Sequence, residues 1–135
     1  MSVVTINGVE FECDFYDADF VEPFEKASKR MQERAAELQS FKGTNAESMR
    51  KLCEVVNDYF DEIFGEGTSE RLFHGNHNMM DHIRAAEVLA DESNKSRKEM
   101  ADFANKYVQR QRSEQFKQAQ ASRKQIGQLQ GMKGH

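Results

Sequence analysis

Tryptophan is absent, proline occurs once and cysteine twice in this chain of 135 residues, and apolar residues make up only 38% of it. No stretch approaches the roughly 18 consecutive apolar residues of a membrane span, and the opening MSVVTINGVEFE lacks the basic start and apolar run of a secretory signal. Cys13 and Cys53 show no CxxC spacing and fall in different predicted elements, so they read as small buried hydrophobes rather than a disulfide or a zinc pair. A mean hydropathy of −0.83 allows only a thin core, and the length suits one modest domain. The expectation is a soluble, intracellular protein.

Charge is plentiful and unevenly placed. Residues 109–135 hold six basic side chains (Arg110, Arg112, Lys117, Arg123, Lys124 and Lys133) against Glu114, a net +5, which leaves residues 1–108 at −9. Eight of those last 27 residues are glutamine, and their large apolar residues are Phe116, Ile126 and Leu129. Such a stretch buries too little surface to offset chain ordering. The expected organisation is a helical domain with an N-terminal hairpin over 1–108 and a flexible basic tail over 109–135, disordered or transiently helical.

Asn7-Gly8 supplies the two positive φ values of a type I′ hairpin turn. Pairing Ile6 with Val9 and Val4 with Phe11 collects the apolar residues, Phe15 included, on one face, which must dock on helices or on another subunit. Open strand edges favour self-association through this hairpin. A first helix is expected near Asp19, with Asp19 and Glu22 at capping-box spacing and Phe20, Phe24, Ala27, Met31, Ala35 and Leu38 in one stripe. Thr44 and Glu47 form a second capping box, opening a helix whose broad face carries Met49, Leu52, Cys53, Val56, Tyr59, Phe60, Ile63 and Phe64. The fold expected is mainly α, three or four helices with the hairpin packed against them.

The junction FDEIFGEGTSERLFHGNHN, residues 60–78, reads as a helix connector. Gly65 ends the central helix in the left-handed conformation, Thr68 caps a short turn over 69–73, Gly75 closes it, and Asn78 with Asp81 caps the next helix. Ser93 to Ser96 is a weak spot beyond which Met100, Phe103, Tyr107 and Val108 resume helical spacing, as a continuation or as another helix. Most methionines, Met31, Met49, Met79, Met80 and Met100, read as core fillers, although such faces also accept varied apolar partners.

Catalytic chemistry finds no foothold. GEGTSE, residues 65–70, lacks the lysine and preceding strand of a phosphate loop. His74, His77, Asp81 and His82 have neither HExxH nor CxxC company, and read as solvated loop histidines beside a helix start. No catalytic, cofactor or metal residue is assigned, and the protein is expected not to be an enzyme.

The order of Asn-Gly hairpin, DFYDAD (residues 14–19) and the junction resembles small proteins of the tail gene module of long-tailed phages and prophages of Gram-positive bacteria, described as tail assembly chaperone-like. The resemblance spans residues 3–90 and is carried by Phe60, Ile63, Phe64, Gly65, Glu66, Gly67, Thr68, Phe73, Gly75 and Asn78. Relatives tend to have glycine and lysine at the positions of His74 and Asn76, so a role for a basic side chain there does not carry over. The resemblance implies a non-enzymatic role in the cytoplasm of the bacterial host, binding the helical tape measure protein during tail assembly. Met79, Met80, Ile83, Met100, Phe103 and Tyr107 are the candidate partner-binding residues.

The rival from another class is a small nucleic-acid-binding protein acting through its basic tail. The acidic body argues against it, because it repels phosphates. The intact protein is therefore expected to show weak or no binding to DNA or RNA near physiological salt. Tight, length-dependent binding in a filter or anisotropy assay, abolished by deleting residues 109–135, would favour the rival.

Overall fold

The computed structural model describes the backbone of residues 2–133 and side chains as far as Ala121. Strands β1 (Ser2–Ile6) and β2 (Val9–Cys13) are followed by helices α1 (Ala18–Glu37), α2 (Asn45–Phe64), α3 (Thr68–Phe73) and α4 (Met79–Lys133), with a single 3-10 turn, Leu38–Ser40, closing α1. The mainly helical fold with an N-terminal hairpin is thus as the sequence implies. Contacts divide the chain into two units, Met1–Ser96 and Arg97–His135.

In the hairpin, Ile6 faces Val9 and Val4 faces Phe11. Asn7 (φ 50) and Gly8 (φ 79) both adopt the positive values of the turn. Val4, Ile6, Phe11, Cys13 and Phe15 are buried in one cluster with residues of α1, α2, α3 and α4. The apolar face is therefore covered within the chain, and the hairpin presents its edges and the opposite face of Val3, Thr5, Glu10 and Glu12. Its tip is also anchored, since the Asn7 side-chain amide donates to the Leu72 carbonyl at 3.1 Å.

Helix α1 begins earlier than the capping-box reading places it. Asp17, in extended conformation, is the N-cap, and its carboxylate accepts from the Asp19 amide at 2.9 Å. Asp19 is the second helical residue, and Pro23 consequently lies inside the helix. The missing proline N–H frees the Asp19 carbonyl, which an exposed first turn leaves open to water. Thr44 caps α2 as expected, accepting from the Glu47 amide at 3.1 Å. Arg30 pairs with Glu62 at 3.0 Å and Arg34 with Asp58 at 2.6 Å, so α1 and α2 run antiparallel. Both pairs are substantially exposed and fix direction more than they add stability.

Aromatic rings connect the elements. Phe15 meets Phe24 edge-on at 5.1 Å, Phe24 meets Tyr59, and Tyr59 meets Phe60 at 5.2 Å. Phe60 continues to Phe73 at 5.9 Å, while Phe11 packs on Phe64 at 4.4 Å. Val55, outside the apolar face read for α2, is buried as well. Burial pushes the Cys13 thiol up to about 11, with the Glu92 carboxylate adding to the effect, so this cysteine is a packing residue rather than a nucleophile. Burial likewise raises the Tyr59 phenol to about 12, although its bond with Ser28 works the other way.

Helix α4 passes through Ser93–Ser96 without interruption, resolving that weak spot as a continuation; Ser93 and Ser96 are buried. It also runs on through residues 109–133, the stretch whose composition suggests disorder or a transient helix. Glutamine, lysine, arginine and alanine all favour helix locally. The side chains of Arg123, Lys124, Ile126, Leu129 and Lys133 lie outside the described residues.

The connector from α2 to α3 uses two glycines. Gly65 (φ 106, ψ 161) takes a glycine-specific extended conformation rather than the left-handed one, while its N–H caps the Asp61 carbonyl. Gly67 (φ 87, ψ −7) is left-handed. A Cβ at either position would meet no neighbour, so the cost of alanine is backbone strain alone. Each Gly→Ala substitution is expected to cost on the order of 1 kcal/mol, and the Gly65→Ala/Gly67→Ala double variant to melt at a clearly lower temperature. Unchanged melting by circular dichroism would refute this account of the turn.

Candidate functional site

The junction is held by side-chain hydrogen bonds that differ from the caps read in the sequence. Thr68 does not cap α3: its hydroxyl donates to the Gly65 carbonyl at 2.7 Å, and it is the first residue of the helix. The α2 residue Asp61 takes the capping role instead, accepting from the Ser69 amide at 2.8 Å and the Ser69 hydroxyl at 3.0 Å. A carboxylate from a packed helix thus satisfies a first-turn amide that the local sequence leaves open. His74 ends α3 in left-handed conformation and Gly75 follows at φ 75. Asn78 caps α4 as expected, through the Asp81 amide at 3.1 Å.

His82 departs from the solvated-loop reading. It is 0% exposed and lies flat on Phe73, with ring centroids 3.7 Å apart and planes 14° from parallel. Its Nδ1 is 2.7 Å from the Asn78 carbonyl oxygen, and its Nε2 is 3.1 Å from Asn57 Oδ1. A carbonyl only accepts, so Nδ1 carries a proton and donates. With the ring neutral, Nε2 accepts, and Asn57 serves it through its amide nitrogen after a half-turn of the side-chain amide; a cationic ring would instead donate to Oδ1. The signal for burial was in the spacing: His82, Ala85 and Leu89 occupy one helix face, and all are buried. His74 and His77 are exposed, and Asp81 is half-buried. Among the described residues, no group of three or more His, Cys, Asp or Glu side chains comes together to hold a metal ion.

The open apolar feature lies elsewhere. Side chains of α1, α2 and α4 line a groove of about 290 Å³ walled by Met31, Ala35, Leu52, Val56, Ile83, Ala86 and Ala90, with Gln32 and Glu87 as its polar members. Met31, Ala35, Leu52 and Val56 come from the apolar faces expected to pack inward. The residues facing one another are partly alanines, too short to close the space between three helices, and this is what leaves the groove. Ile83 is the one candidate partner-binding residue that lines it. Met79 is half-buried at the start of α4 and Met80 is exposed.

Met100, Phe103 and Tyr107, the remaining candidates, belong to the Arg97–His135 unit and are exposed, Phe103 by 73% and Tyr107 by 57%. Their spacing places them along one side of α4. Core filling is thus wrong for Met49, Met80 and Met100, which are exposed. Phe116 is exposed too. No helix among the described residues is long and apolar enough to cross a membrane.

The geometry defines a helical protein with an apolar groove lined by α1, α2 and α4 and an exposed apolar stripe on α4. The chain belongs to the family of unknown function DUF6673, whose model matches residues 7–125, a span that includes the hairpin turn, the junction, the groove and the stripe. No curated protein and no solved structure matches.

His82 carries a pH prediction. Burial lowers its pKa, opposed by the bond to Asn78 and by Asp81 and assisted by His77. The unfolded chain therefore takes up the proton first as pH falls, and stability drops below the ordinary histidine range near 6.5. Melting temperature is expected to fall between about pH 7.5 and about pH 5.5. His82→Phe, which keeps a ring on Phe73 but removes the imidazole partner of Asn57 and leaves the Asn78 carbonyl with only the residue-82 amide, is expected to lose roughly 1–3 kcal/mol at neutral pH and to show a shallower decline. An identical decline in the variant would assign the pH dependence to other groups.

Proposed function

We propose that this protein is a non-enzymatic chaperone of phage tail assembly, which holds the long helical tape measure protein in the cytoplasm of the bacterial host while the tail is built. The carrying observation is the groove of α1, α2 and α4: apolar along its walls, open at the surface, and shaped by three helices for side chains of another helix. The resemblance of the hairpin and of residues 60–78 to tail assembly chaperone-like proteins supplies the client. Met31 on one wall gives the groove an adaptable side chain, suited to a client that presents many similar apolar turns in succession. The acidic unit around it keeps the loaded complex dispersed. Release needs no chemistry, only a competitor for the same apolar surface.

Overlapping helical segments of the tape measure protein from the same tail gene module provide the test. One or more are expected to bind the purified protein by calorimetry, and Ala90→Trp, which fills the groove from an exposed position, should weaken binding at least about tenfold, equivalent to roughly 1.4 kcal/mol. Absence of binding by every segment, or binding indifferent to Ala90→Trp, would refute the reading.

A further inference from the structure

The groove and the stripe are complementary in shape class and in charge. We propose that Met100, Phe103 and Tyr107 of one copy dock into the α1/α2/α4 groove of a second copy, and reciprocally, so that the chain pairs with itself through α4. The inference uses the groove described above but not the identity of its client.

Three observations select a second copy as occupant. The first is the exposed stripe itself: positions 100, 103 and 107 follow the three- and four-residue steps of a helix face that packs against other helices. Phe103 and Tyr107 are the kind of side chain that anchors an interface, and both are largely exposed. The second is the groove, whose alanine walls leave room for large side chains and whose lining is otherwise apolar.

The third is charge. Residues 1–96 hold 20 acidic and 10 basic side chains, a net −10, and residues 97–135 hold 9 basic and 3 acidic, a net +6. The change of sign coincides with the division between the two units. Two copies of the acidic unit repel each other unless a basic segment comes between them. Lys106 lies three positions after Phe103, and Arg110 three after Tyr107, both exposed and beside the stripe on the helix surface. The groove offers Glu87 on its wall, with exposed Asp91 one turn further along α4. A copy of this chain therefore brings the apolar face and the matching charge on one helix, and a two-fold arrangement uses both contacts at once. Paired copies keep their grooves filled, and a helical client must displace the partner to enter.

Light scattering and sedimentation of the full chain test the proposal. At tens of micromolar the parent is expected to be a dimer. Phe103→Glu, Ala90→Trp and the Lys106→Glu/Arg110→Glu double variant should each weaken pairing at least about tenfold, at exposed positions that leave the melting of the body unchanged. An equimolar mixture of Phe103→Glu and Ala90→Trp restores one intact contact, so it should form a heterodimer weaker than the parent but stronger than either variant alone. The Lys106→Glu/Arg110→Glu variant frees the groove without touching a candidate partner-binding residue and should still bind a client helix, which separates failure of this proposal from failure of the chaperone reading. Should Ala90→Trp not fold, the charge-reversed variant carries the test. A monomeric parent, a dimer sensitive to Phe103→Glu but not to Ala90→Trp, or a dimer that survives every substitution would overturn the proposal; the last outcome would point to a different surface, such as the hairpin edges.

Discussion

The stack of His82 on Phe73 joins what the chain brings together. Phe73 ends the short helix α3 and packs on Phe60 of α2, while His82 opens α4 and reaches Asn57 of α2 through its outer nitrogen. Both polar ends of the ring are satisfied, by Asn78 on its own helix and by Asn57 on another, so a ring with no exposure stays in place without an unmet hydrogen bond. A phenylalanine would fill the space, but it would not define the rotation of α4 about its axis. That rotation determines that Ala85 and Leu89 enter the core while Ile83, Ala86 and Ala90 border the groove.

The hairpin depends on the same junction. Its tip bonds to the Leu72 carbonyl, and its apolar face is shared with α1, α2, α3 and α4. Two strands alone are marginal in water, so the hairpin owes its stability to helices that the junction holds at the right spacing. In return it covers Phe64 and the end of α2, where Phe11 lies against that ring. Burying the hairpin's face removes it as a free association surface. Apolar area then remains open in the groove and along α4, where Phe103 and Tyr107 are set among basic residues. The sequence spends its limited apolar content on one dense core and one helical stripe, and the opposite charges of the two units make those regions suitable partners across copies.

Much of this architecture is written locally. Asn7-Gly8 dictates the hairpin and its register, Thr44 and Asn78 cap the helices they precede, and the glycines at 65 and 67 mark the turn. Each rests on backbone sterics or on hydrogen bonds spanning a few residues, which is why residue order alone reveals them. Tertiary structure decided the rest. Asp61 rather than Thr68 serves the first turn of α3, because a neighbouring helix brings its carboxylate there. His82 is a core residue because Asn57, 25 positions away, meets its second nitrogen. The alanines at 35, 86 and 90 line a groove because separate helices bring them to one place, whereas the stripe that carries Ala35 reads equally well as closed core. Periodicity tells which side of a helix is apolar; whether that side is covered depends on the separation of helix axes, a quantity set only when all the side chains between them have packed.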